Sequence, residues 1–171
     1  NKRAGRKEAE FAFLCGLLHD VGKVVYFKKE PMHYSLLFTQ ERNERDPDLS
    51  ALEQEYYGIS HPALGAILAE HWGFPSALSA VLRNHHSAAN PSVPLAAAVC
   101  IADNVARVSC IGYSGELRPN QHMYNLQQLI RMGNEEYQQL KSYAESNRKE
   151  IEDFFQFAGP LPAALTPLKR A

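Results

Sequence analysis

The chain has 171 residues, 45% hydrophobic and 22% charged, with 18 basic residues against 19 acidic ones. That length suits one domain with a real core, and a net charge of -1 gives no bulk attraction to nucleic acid or anionic membrane. The longest apolar run, Leu95–Ala102, is far too short to span a bilayer.

In chain order the pattern is helix after helix, without internal repeats. Residues 7–20 carry Phe11, Leu14, Cys15 and Leu18 at helical spacing, and Gly22 offers a stop. Val24–Phe27 is a short apolar run, helical or extended. Residues 33–45 and 48–57 read as two amphipathic helices broken by Asp46-Pro47. Ser60-His61-Pro62 starts a helix that runs to Trp72 and stops at Gly73. Pro75 opens the next helix, which ends near His85. A loop is expected over Ser87–Pro94, a small-residue helix over 95–110, and a second loop over Gly112–Asn120. Residues 122–132 and 134–158 are expected to be helical. No stretch alternates with period two, so the fold class is all-α, with one helical domain over 1–158 and an extended tail over 159–171. The chain begins at Asn1 rather than Met and shows no signal peptide, so a fragment of a longer protein is expected. Cys15, Cys100 and Cys110 lack zinc-ribbon spacing and sit in apolar helical patterns. They read as reduced core residues of a cytoplasmic protein.

Polar groups fall on inward stripes at four places. His19 shares a helix face with Cys15 and Phe11. His85 continues the stripe Leu78, Val81, Leu82, while Asp103 sits among Val99, Ala102 and Ala106. His61 stands at a helix start. An unpaired buried carboxylate costs several kcal/mol, so it must be neutralised, paired or metal-bound. Each residue also has a plain structural reading. His19 can be a hydrogen-bonded core histidine, Asp20 a turn residue beside Gly22, His61 a helix cap, and Asp103 an i,i+4 partner of Arg107. Consecutive helical residues point about 100° apart, so one of His85 and His86 should face away. His71, seven after Leu64, reads as a packing histidine, and neither His33 nor His122 has ligand character. A metal ion shared by the four places accounts for them jointly.

These residues carry a resemblance. LLHDVGK, HPALG, a W-x-x-P, HH and AD occur in that order, and the series is similar to the HD superfamily of metal-dependent phosphohydrolases. The segments EFAFLCGLLHDVGKVVYF, GISHPALGAILAEHWGFPSALSAVLRNHH and LAAAVCIADNVARVSCIGYSGE resemble the HDOD subfamily of bacterial signalling domains over roughly residues 5–116. The resemblance implies an HD-type helical bundle and a site for iron, manganese or magnesium. It implies His19, Asp20, His61, one or both of His85 and His86, and Asp103 as ligands, with Asp20 bridging. Lys23 would hold a phosphate oxygen, so Asp20 and Lys23 are the catalytic candidates. A divalent ion lowers the pKa of bound water, and the metal with Lys23 would stabilise phosphoryl charge.

Two departures stand out. Nothing in Asn1–Leu18 supplies the family's upstream metal-binding histidine or the usual amino-terminal helices, so the resemblance implies the later part of a longer domain, and weak, mononuclear or no metal occupancy is expected. His86 is followed by SAANPSVP rather than the glycine-tyrosine-proline signature of the cyclic di-GMP hydrolases. The expected role is therefore a regulatory module of a bacterial signal-transduction protein. The alternative is an active phosphohydrolase acting on a nucleotide or other phosphoester. Expected partners are signalling proteins or a phosphoester ligand, with no nucleic acid and no membrane.

Overall fold

A computed structural model describes residues 2–43, 48–86, 93–112 and 123–157. The described residues are helical, without strands. The helices are α1 Lys2–Leu18, α2 Val21–Lys29, α3 Pro31–Asn43, α4 Leu49–Tyr57, α5 His61–His71, α6 Ser76–Asn84, α7 Pro94–Val108, α8 Met123–Leu129 and α9 Asn134–Phe157. The all-α reading therefore stands. The Asp46-Pro47 break, most of the two expected loops, His122 and the tail from Gly159 lie outside the described residues.

Local chemistry sets the ends of the helices around the site. Asp48 caps α4, its Oδ1 accepting from the Ser50 N–H at 2.9 Å, and Gly58 closes that helix in the left-handed region at φ 73°. Ser60 stands in extended conformation before α5, and Pro62 fits its first turn. Gly73, at φ 74°, ends α5, with the Phe74 N–H bonded back to the Ala69 carbonyl.

Three apolar clusters hold the helices together. The first joins Cys15 of α1, Ala66 and Ala69 of α5, Leu78, Val81 and Leu82 of α6, and Ala96 and Val99 of α7. The second packs Tyr26, Tyr34, Leu37 and Leu49 across α2, α3 and α4. The third sets Leu126 of α8 against Ala97, Cys100 and Ile101 of α7, with Tyr137 and Leu140 of α9 beside it. The first two clusters flank α5, so the start of α5 sits between them.

Several expectations need correction. Gly22 does not stop a helix; it lies buried inside α2. A Cβ there would come within 2.2 Å of the His61 carbonyl oxygen, so glycine is required by close backbone approach to α5. Val24–Phe27 is helix. Cys110 is exposed rather than in the core, because α7 ends before it and its backbone turns left-handed at φ 55°. There the Ile111 N–H closes onto the Ala106 carbonyl, a helix-terminating turn that places its middle residue outside. His71 is exposed at the last turn of α5, not packed inside. Ala102 is exposed as well, in the wall of a groove between α1 and α7.

Candidate metal centre

The helical pattern predicts His19 on α1, but α1 ends at Leu18. His19 and Asp20 form a two-residue turn into α2. Asp20 occupies the N-cap position of α2, yet its carboxylate makes no cap bond. A cap of this kind contributes about 1 kcal/mol, so the carboxylate forgoes ordinary helix stabilisation. It turns instead toward Lys23 and the imidazoles. The Lys23 ammonium donates to Asp20 Oδ2 at 2.9 Å. His61 Nε2 and His85 Nε2 lie 3.3 and 3.6 Å from Asp20 Oδ1.

The start of α5 and the turn after α6 bring the histidines there. His61 is the first residue of α5 and is fully buried. α6 ends at Asn84, so His85 and His86 leave the helical screw. The expectation that one of them faces away is thus corrected: in the turn both rings converge, with centroids 4.1 Å apart. His86 Nε2 is 3.0 Å from His61 Nε2. Asp20, His61, His85 and His86 each offer one donor atom, and all four atoms lie within 4.8 Å of one another.

His19 and Asp103 form a flanking pair rather than part of this cluster. His19 Nε2 is 3.4 Å from Asp20 Oδ2 and 3.9 Å from Asp103 Oδ1. Arg107 donates to Asp103 Oδ2 at 2.6 Å, so the helix-pair reading of Asp103 holds alongside its approach to the site. The α1–α7 groove, about 360 Å³, has His19 and Asp103 in a wall otherwise made of small and apolar residues. Lys23 is buried, with its ammonium on Asp20.

Hydrogen bonds fix the ring faces. His19 Nδ1 meets the Gly16 carbonyl at 2.7 Å, and His85 Nδ1 meets the Leu82 carbonyl at 2.6 Å. A carbonyl only accepts, so each Nδ1 donates, and in the neutral ring Nε2 keeps its lone pair. Among the described residues, His85 Nε2 and Asp20 Oδ1 of the cluster, and His19 Nε2 beside it, are buried without a hydrogen-bond partner. Buried polar atoms are nearly always satisfied, and a convergent set of bare donor atoms fits a cation. Ligands about 2.1 Å from one ion sit about 3.0–3.4 Å apart along a coordination edge. The His61–His86 and His61–Asp20 separations, 3.0 and 3.3 Å, match that spacing, and His85–Asp20, at 3.6 Å, is slightly longer.

Electrostatics agree. Burial pushes the Asp20 carboxyl up, but Lys23 and the imidazoles of His19, His61 and His85 pull it well below the usual range. Burial lowers His85, and Asp20 only partly offsets that. Burial and the neighbouring His85 and His61 hold His86 well below the usual histidine range, so its ring is neutral and able to ligate. Burial opposes charge on His19 and His61. Lys23 opposes it at His61 as well, but Asp20 with Asp103 and the Gly16 carbonyl outweighs burial at His19, and Asp20 together with Glu53 outweighs burial and Lys23 at His61, so both are raised.

Glu53 is the residue that sequence reasoning missed. It is fully buried on α4. Its Oε2 accepts from the His61 backbone N–H and meets His61 Nδ1, each at 2.6 Å, and its Oε1 accepts from the Tyr34 hydroxyl. The signal was present: Leu49, Leu52 and Glu53 share the i, i+3, i+4 inward stripe of α4.

No described helix is long and apolar enough to cross a membrane. A protein of Treponema pallidum (strain Nichols) described as an uncharacterized protein is 28% identical over 144 residues, covering 82% of this chain and 27% of that protein. The chain thus spans about a quarter of the length of that curated relative. No solved structure matches the chain. A family model described as the HDOD domain matches residues 1–88, a span that holds His19, Asp20, Lys23, Glu53, His61, His85 and His86 and stops short of Asp103. The turn that carries His19-Asp20, the buried imidazoles gathered on Asp20 and this match agree, and the chain belongs to the HDOD domain family.

Proposed function

We propose that the chain is a regulatory module of a bacterial cytoplasmic signalling protein, holding one transition-metal ion between Asp20, His61, His85 and His86. One observation carries this reading. The two carboxylates beside His19 are already matched by internal cations, Asp20 Oδ2 by Lys23 and Asp103 Oδ2 by Arg107. The Asp20 Oδ1 side instead collects imidazoles and no cation. A bridging carboxylate needs both oxygens, so pairing Oδ2 with Lys23 favours a single ion over a binuclear centre. Three imidazoles with one carboxylate suit iron or manganese better than magnesium. When bound, such an ion supplies Lewis acidity.

The chain's own residues then act as a rigid holder. Asp20 supplies the charge, the three Nε2 lone pairs complete the donor set, and Lys23 keeps Asp20 turned inward. The buried Lys23 ammonium, matched to Asp20, is not presented to a phosphoryl group, which supports a sensing or scaffolding role over turnover. The test is an assay of manganese-loaded protein against a generic phosphodiester and nucleotides. The regulatory reading predicts bound metal without turnover. Turnover that falls on the order of 100-fold or more in both Asp20→Asn and Lys23→Ala would establish the phosphohydrolase alternative instead.

A further inference from the structure

Glu53 lies outside the proposed ligand set, yet it is a fully buried carboxylate one hydrogen bond behind that set. We infer that Glu53 is a positioning residue: it holds His61 as the Nδ1–H tautomer and so presents the Nε2 lone pair toward Asp20 Oδ1. For its consequence on metal affinity the inference rests on the reading given under Proposed function; for the tautomer it does not.

The other rings show what His61 lacks. His19 and His85 are oriented by main-chain carbonyls of their own helical turn. His61 has no such carbonyl available, because it opens α5 and no turn precedes it. Its Nδ1 faces α4 instead, and Glu53 Oε2 stands 2.6 Å away. The same oxygen accepts the His61 backbone N–H, one of the first N–H groups of α5 with no partner inside the helix. One carboxylate oxygen therefore fixes both the main chain and the ring of His61.

The carboxylate is itself fixed. The Tyr34 hydroxyl donates to Oε1, and Tyr34 is wholly buried with Tyr26 and Tyr57 around it. From the opposite side, Gly22 brings the α2 backbone against the His61 main chain, leaving no room for retreat. A carboxylate this deep is costly to bury unless every oxygen is used. Here both are used, and the use made of Oε2 is to aim an imidazole. A carboxylate behind a ligating histidine fixes its tautomer and raises its basicity, and loss of such a partner typically weakens metal binding about 10–100-fold.

The experiment reads the His61 ring nitrogens by long-range proton–nitrogen NMR on metal-free protein at about pH 9, above the usual histidine range, and follows with manganese titration. Wild type should show the Nδ1–H tautomer. Glu53→Met, similar in length but without an oxygen acceptor, should shift His61 toward the Nε2–H form and weaken manganese about 10–100-fold. Glu53→Gln can still accept at its amide oxygen and should retain the tautomer, which a merely space-filling role would not require. An Nε2–H tautomer in wild type overturns the inference without any variant having to fold. An unchanged tautomer in folded Glu53→Met overturns it too. If wild type binds no manganese but its tautomer depends on Glu53, the positioning role stands and the metal reading falls.

Discussion

Gly22→Ala separates two forces of opposite sign. Gly22 lies inside α2, where alanine has the better helix propensity by about 0.5–1 kcal/mol. Against this, a Cβ at position 22 would stand 2.2 Å from the His61 carbonyl oxygen and 2.9 Å from the His61 carbonyl carbon and Cα. These are backbone atoms, so no rotamer change relieves the clash. Restoring ordinary contact requires α2 and α5 to part by roughly 1 Å, and overpacking of this kind costs about 1–3 kcal/mol. The net expectation is a loss of about 1–2 kcal/mol, which lowers Tm by roughly 2–8 °C in a chain of this size. Gly16→Ala is the control. It lies in α1 with nothing within 4 Å of the added Cβ, so propensity acts alone and Tm should rise by a few degrees. Thermal and urea melts of both variants decide. If Gly22→Ala matches or exceeds wild type, the close approach of α2 to His61 is wrong, and the account of how α5 is held fails with it.

Leu82 is fully buried where α6 meets α5 and α7, so Leu82→Ala should cost about 2–5 kcal/mol in urea denaturation. A loss under about 1 kcal/mol would mean that α6 is not packed as described. The Asp20 carboxyl is pushed up by burial, but Lys23 and the surrounding imidazoles bring it well below its usual range. Its folded pKa therefore lies below the unfolded value. The stability from its charge is fully present above about pH 4 and is lost as pH falls through the folded pKa. The stability advantage of metal-free wild type over Asp20→Asn should thus shrink as the pH falls from about 4 to about 3. An advantage that does not change over that range would show that Asp20 is not engaged by Lys23 and the histidines.

Much of this was legible in the sequence because the relevant signals are local. Ser60-Pro62 and Gly73 bracket α5, and the stripe Leu78, Val81, Leu82 marks the inner face of α6. Apolar stripes of this kind nominate His19, His85 and Asp103 as inward groups, and the helix start at Ser60-Pro62 nominates His61. What was hidden depends on where helices stop or on residues distant in sequence. A helical screw sends His85 and His86 in directions about 100° apart, but α6 has already ended there. The same screw puts Cys110 in the core, although α7 ends before it. Gly22 reads as a stop, and only the approach of residue 61 reveals why glycine is there. Glu53 reads as one charge in an amphipathic helix, although its stripe with Leu49 and Leu52 points inward.

Elemental analysis of protein purified without added metal tests whether Asp20, His61, His85 and His86 share one metal ion. Wild type should hold iron or manganese at up to one ion per chain, lost in Asp20→Ala and in His85→Ala, while His33→Ala, altered at an exposed histidine outside the cluster, keeps it. Metal content that is unchanged in Asp20→Ala, or a wild-type protein that takes up no transition metal even when iron or manganese is supplied, would contradict a shared ion.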